Sequence, residues 1–225
     1  MRKLLILGLF MIAGMLQLST VPANASLISF DLDLEFSGAH EPKGDKPWIT
    51  ATFDDKGTSG SVELTLTSNN LVDDEFISSW YFNFDTDKIL SNLIFDYVSG
   101  DKAEGIDASK DGFNVGGGGN YDVRFAFPRN KKERFGPGEK SVYNITSNEA
   151  ILASSFDFFS SPSGDNGTYL SAAHVQGIDG EYSGTIGASR TAPVPEPATM
   201  FLLGSGLLGL AGVGRKKLMG KKSAK

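Results

Sequence analysis

Residues 27–36 read LISFDLDLEF. Ile28, Phe30, Leu32, Leu34 and Phe36 alternate with Ser29, Asp31, Asp33 and Glu35. A period of two places the apolar set on one face of an extended strand and the polar set on the other, which no helix can do. A chain that begins this way needs a second apolar face to cover the first, and the following sequence supplies several. Ile49, Ala51 and Phe53 alternate in ITATF, and Val62, Leu64 and Leu66 in SVELTLT. Trp80, Phe82 and Phe84 share a face in SSWYFNF, and Leu93, Phe95 and Tyr97 in LIFDYVS. Tyr121, Val123, Phe125 and Phe127 do so in NYDVRFAFP, which Pro128 ends. YLSAAHVQGIDGEYSGTIG reads as a hairpin that turns at Asp179-Gly180, because Gly accepts positive φ.

About eight or nine short strands with Gly- and Asp-rich turns predict an all-β fold, an antiparallel two-sheet β-sandwich of jelly-roll-like type. Strands do not alternate with helices, so a parallel α/β sheet is not expected. One short helix is expected in TSNEAILAS, where Thr146 and Glu149 have capping-box spacing. NVGGGGNYD, around Gly116 to Gly119, reads as a flexible loop and not a phosphate cradle, since no Lys-Ser/Thr follows it. Residues 183–194 read as a linker once the last strand ends near Ile186.

Both chain ends depart from this pattern. MRKLLILGLFMIAGMLQLSTVPANA has a positive start, an apolar stretch and an A-x-A cleavage pattern at Ala23 and Ala25. It predicts a signal helix within residues 1–25, removed by signal peptidase before Ser26. At the other end an apolar, charge-free run starts at Ala198 and ends at Val213. Its glycines weaken a helix in water but are common in membrane helices, which predicts a transmembrane helix over residues 198–214. Arg215, Lys216 and Lys217 open a basic end, 215–225, which places that end in the cytoplasm. The chain thus divides into a signal peptide (1–25), a sandwich (26–190) and a tail (191–225), whose linker and Pro-Glu-Pro segment occupy 191–197.

Charge is segregated in the same way. The formal net charge is −6, but residues 26–190 carry 26 acidic against 13 basic side chains. An acidic body repels phosphate backbones, so nucleic acid is not an expected partner. There is no cysteine, which removes disulfides, thiolate metal sites and a cysteine nucleophile.

The tail resembles the PEP-CTERM sorting signal. The matching parts are Val194, Pro195, Glu196 and Pro197 with the following Ala198 and Thr199, then the apolar run, then the basic end. The resemblance implies export in a Gram-negative bacterium that makes exopolysaccharide. It also implies recognition of Pro195, Glu196 and Pro197 by a membrane-embedded exosortase that removes the tail. Before processing, the body would be anchored to the inner membrane by the C-terminal helix. Afterwards it would stand at the cell surface or in the extracellular matrix. AAHVQGIDGEYSGTIG looks like the ending of the body domain in one group of PEP-CTERM proteins; this implies a domain boundary and no activity.

Chemistry is sparse in the body. His40 and His174 stand in no zinc-binding spacing, and there is no G-x-S-x-G. Carboxylate pairs occur at Asp31 and Asp33, Asp54 and Asp55, Asp73 to Glu75, and Asp85 and Asp87. A glycosidase needs two such groups facing across a cleft. Asp107, Ser109, Asp111 and Gly112 copy the start of a calcium loop, although Gly118 stands where that loop has its bidentate Glu. Ca²⁺ is therefore the one ion considered, against an ordinary Asx-rich turn, and no other cofactor is expected. Trp48, Tyr81, Tyr97, Tyr121 and Tyr143 are candidates for a sugar-stacking platform. The reading that emerges is non-enzymatic: an exported surface or matrix protein with a structural or adhesive role linked to exopolysaccharide. Its alternatives are a lectin-like glycan-binding module and an extracellular glycoside hydrolase.

Overall fold

The computed structural model describes residues 25–189 and the backbone of 191 and 192. The first and last regions of the sequence, including the expected signal helix and transmembrane helix, lie outside the described residues. The described chain forms twelve strands: β1 (Leu27–Leu32), β2 (Leu34–Glu35), β3 (Ile49–Asp54), β4 (Ser61–Thr67), β5 (Phe76–Phe82), β6 (Ile94–Gly100), β7 (Gly105–Asn114), β8 (Asn120–Ala126), β9 (Lys140–Thr146), β10 (Ser171–Ile178), β11 (Tyr182–Ala188) and β12 (Thr191–Ala192). They make two antiparallel six-stranded sheets, ordered β12-β1-β3-β4-β9-β6 and β2-β11-β10-β5-β8-β7. The hairpins β3–β4, β7–β8 and β10–β11 stay within one sheet, and the other connections between described strands all cross between sheets.

The period-two pattern builds the core directly. Phe30 and Leu32 of β1, Phe53 of β3 and Leu64 of β4 face Trp80 and Phe82 of β5 and Phe125 of β8, all buried. Aromatic rings tie the layers together. Phe53 is stacked on Phe156 at 4.5 Å, and Phe125 meets Tyr143 of β9 edge-on at 5.0 Å. Each buried large apolar side chain contributes on the order of 1.5–3 kcal/mol relative to exposure. A smaller cluster of Phe36, Val115, Tyr121, Tyr169 and Ala172 sits apart from this core. There Phe36 stacks on Tyr169 at 4.2 Å.

Four local expectations change. The alternation of residues 27–36 is interrupted at Asp33, where the chain passes from the first sheet to the second. Glu35 then pairs with Ile186 of β11, Leu34 is exposed, and Phe36 joins the smaller cluster. The Glu35 carboxylate fixes this passage by accepting backbone N–H bonds from Ser37 (2.9 Å), Gly38 (3.0 Å) and Thr185 (3.3 Å). TSNEAILAS forms no α-helix. Thr146 ends β9, and Glu149 is drawn away to accept from Ile89 N–H and Asn92 Nδ2, leaving a 3₁₀ turn at Ala153–Phe156. These two long-range contacts outweigh weak helix propensity over a few residues.

The Gly116 to Gly119 segment is a hydrogen-bonded turn. Gly118 N–H donates to Val115 O at 2.8 Å, and Asn166 Nδ2 donates to Gly116 O at 2.6 Å. A Cβ at Gly118 would overlap the Phe36 ring, which is why that position is glycine. Finally, residues 183–188 are strand β11 and not linker, and β12 pairs with β1 through Ser29–Ala192 and Phe30–Thr191.

Candidate functional site

Val194, Pro195, Glu196, Pro197, the apolar run and the basic residues Arg215, Lys216 and Lys217 lie outside the described residues, as does Ala23. Ala25 and Ser26 are the first two described. Among the described residues no helix is long and apolar enough to cross a membrane.

Asp107, Ser109 and Asp111 fall on β7, an edge strand. Four residues, 109–112, bulge out between the pairs Ala108–Val123 and Phe113–Tyr121. Asp111 takes a left-handed φ of 52°, and its N–H donates to Asp122 Oδ1 at 2.8 Å. Asp107 is engaged by Arg124 at 2.7 Å. Among the described residues no group of three or more His, Cys, Asp or Glu side chains is placed to hold a metal ion.

The proposed stacking platform is dispersed. Trp48, Tyr121 and Tyr143 are buried, Tyr81 is half-buried in the smaller cluster, and Tyr97 alone is exposed. The alternation that marked these rings also marks core positions, and the core took them. His174 is partly buried, with Nδ1 3.0 Å from Ser78 Oγ. Desolvation, with Arg129 nearby, lowers its pKa.

Several carboxylates are tied up in local hydrogen bonds. Glu75 is buried and accepts from Lys43 N–H (2.8 Å) and Val72 N–H (2.9 Å). Asp31 accepts from Thr50 Oγ1 at 2.8 Å. The Asp101 carboxyl is pushed up, to about 6, by burial and by the neighbouring Glu139. That pair meets one requirement of acid catalysis, a proton-holding carboxyl beside another. It lines none of the three cavities described below or beside Phe84.

A roomier concavity than that beside Phe84 lies at the β10–β11 turn. Asp179 and Gly180 both have positive φ, 53° and 82°, the backbone of a tight hairpin turn. A cavity of about 380 Å³ lies between this turn, residues 74–76 and residues 131–134. A second of about 250 Å³ adjoins it, and the two share Asp74, Gly177 and Gly180. The volume falls in the ~300–1,000 Å³ range of small-molecule sites.

The walls of this groove are specific. Tyr182 opens β11; one face of its ring stacks on His40 at 4.0 Å, yet 46% of the residue remains exposed. Arg134 is held over the Phe76 ring at 4.7 Å, with Nη2 2.7 Å from Asp74 Oδ1. Lys131 Nζ reaches the same oxygen at 3.0 Å. Hydrogen bonds from Lys131 and Arg134 hold the Asp74 carboxyl below its usual range. Gln176 joins the lining because β10 pairs it with Phe76 of β5. At the far end Lys43 pairs with Asp179, which raises the Lys43 pKa. Five carboxylates and three cations line the combined groove, so its field is acidic. The geometry can hold a small polar molecule against an aromatic face; it presents no activated nucleophile.

Residues 193–216 match the model of the PEP-CTERM protein-sorting motif. No curated protein and no solved structure matches the chain.

Proposed function

We propose that this chain, which carries a PEP-CTERM protein-sorting motif at residues 193–216, is an exosortase-sorted exported protein with a non-enzymatic structural or adhesive role at the cell surface or in the extracellular matrix. The motif is the observation that carries the reading. In it, Pro195, Glu196 and Pro197 are the substrate of a processing enzyme and not a catalytic set. The topology of the body is consistent with that role. β12 runs antiparallel to β1, so the chain leaves Ala192 heading toward the Ser26 end of β1. Both signal-bearing ends therefore emerge at one corner of the sandwich, an arrangement suited to a body held at a single membrane face from either end.

The acidic body would meet basic partners or neutral polymer in the matrix more readily than anionic chains. Replacing Pro195, Glu196 and Pro197 together by Ala tests the sorting reading. The body is expected to stay in the membrane fraction; release equal to that of the unaltered protein would overturn it. Removing the gene product and measuring cell cohesion tests the structural role separately, with reduced cohesion expected.

A second reading, glycan binding, is favoured by the groove at Tyr182. An exposed ring backed by His40, beside the fixed Arg134–Asp74 pair and the Gln176 amide, offers an apolar face for a pyranose and donors and acceptors for its hydroxyls. The surplus of carboxylates across the combined groove disfavours polyuronates and favours neutral sugars. Binding of a neutral glucan or mannan hexaose that weakens by about tenfold in Tyr182→Ala but persists in Tyr182→Phe supports this reading. Binding of only a uronate oligomer, or of none, counts against it.

A further inference from the structure

Asp55 is 2% exposed, and among the described residues no Lys, Arg or His side chain forms an ion pair with it. Its oxygens are instead surrounded by backbone donors. Oδ1 accepts from Ser26 N–H at 2.8 Å and Gly57 N–H at 2.9 Å, and Oδ2 lies 3.3 Å from Ala153 N. The backbone closes the same contact from the other side, Asp55 N–H donating to Ser26 O at 3.2 Å. A buried carboxylate without a counter-charge is costly even when hydrogen-bonded, and it gains most from a cation placed directly on it. The nearest nitrogen that can become a cation is that of Ser26, the residue that follows the A-x-A pattern at Ala23 and Ala25.

From this coincidence we infer that Asp55 is the built receptor for the mature amino terminus: processing occurs at the Ala25–Ser26 bond and converts a neutral amide contact into a buried ion pair. Hydrolysis by signal peptidase consumes one water. The C–N bond breaks, the carboxylate departs with Ala25, and the Ser26 nitrogen takes up protons to become an ammonium. That ammonium keeps its bond to Asp55 Oδ1 and now carries the charge the site lacks. Export thus completes the fold: the protein gains stability on the side of the membrane where its leader is lost. This inference concerns the opposite end of the chain from the sorting motif and does not depend on the role proposed above.

The surroundings favour such a pair. Of the elements packed against Ser26, the 3₁₀ turn Ala153–Phe156 carries no charged side chain. β3 contributes Asp54, which pairs with Leu27 across the sheet. Lys56, the next cation along the chain, is occupied by Glu63 at 2.7 Å. Both nearby carboxylates raise the pKa of an ammonium at Ser26 above that of a free terminus, ~7.7–8.0. A group whose pKa is raised on folding contributes stability that is complete below its unfolded value and is lost as pH rises through its folded value.

The test compares the full exported chain, isolated after leader removal, with a form that retains Asn24 and Ala25. Terminal sequencing of the former is expected to begin at Ser26. NMR titration of its α-ammonium is expected to give a pKa above the free-terminus range, and its unfolding equilibrium to be about tenfold more favourable to the folded state at pH 7 than that of the extended form. That advantage should vanish above pH ~10 and in Asp55→Asn. A mature terminus elsewhere, an α-ammonium titrating at the free value, or an unchanged advantage in Asp55→Asn would each overturn the inference. The titration needs no variant, so the inference stays open to refutation even where Asp55→Asn fails to fold.

Discussion

Phe53 of β3 meets Phe82 of β5 edge-on, with ring centroids 5.1 Å apart and planes at 90°. The contact joins the two sheets at the centre of the core, and Phe53 also touches Phe30 and Phe156. Phe53→Ala removes all three ring contacts and leaves a void that the sheets cannot close. A loss of about 3–5 kcal/mol in unfolding free energy is expected, measured by denaturant titration. A loss below 1 kcal/mol would mean that the sheets do not pack face to face at this point.

Gly118 packs directly against the Phe36 ring, and its carbonyl accepts from Ser160 Oγ at 2.8 Å. Gly118→Ala should displace Phe36 and cost about 1–3 kcal/mol. Gly138 has a positive φ, which Gly118 does not, but open space surrounds its missing Cβ, and it should lose less than Gly118 on the same change. Parallel thermal melts of the two variants check the ordering.

Glu75 accepts two backbone donors in a buried position below the groove. Glu75→Ala strands the Lys43 and Val72 N–H groups at a predicted cost of about 2–3 kcal/mol. Glu75→Gln keeps an acceptor oxygen and should recover part of it. Loss of protection at the amides of Lys43 and Val72 in hydrogen exchange would confirm the cause.

Asp101 titrates near pH 6 in the folded protein, against 3.8 for an unperturbed carboxyl, because burial and Glu139 disfavour its charge. The raised folded pKa means that its contribution is fully favourable below pH 3.8 and is lost as pH rises through 6. Asp101→Asn removes the penalty. The variant should be more stable than the unaltered protein above pH ~6 by about 1 kcal/mol, a figure reduced for solvent screening, and equal to it near pH ~4. His174 works in the opposite sense. Its lowered folded pKa favours protonation of the unfolded chain, so it costs stability as pH falls below ~6.5.

The sheets were legible because inward positions are large and apolar. Phe53, Leu64, Trp80 and Phe125 announce their faces by spacing alone. β7 was not legible, since GIDASKDGFN is an edge strand exposed along most of its length and has no alternation to read. β9 carries inward Tyr143 and Ile145, but its first inward position is Ser141, which shortens the pattern to two residues. The groove was hidden for a different reason: Tyr182, Arg134 and Asp74 are far apart in sequence and meet through the β5–β10 and β10–β11 registers and the Ile77–Phe135 bridge. The Ser26–Asp55 contact likewise spans 29 residues, and only the β1–β3 pairing brings the two together. The sorting motif, by contrast, is contiguous and needs no fold to be read.

The most direct test of the account is the intact mass of the protein recovered from cells with and without an exosortase, followed by identification of its last peptide. With the enzyme present, the recovered chain should lack the apolar run that begins at Ala198 and the basic residues after Val213, and without it the chain should keep both. A chain that ends at Lys225 in both cell types would contradict exosortase sorting.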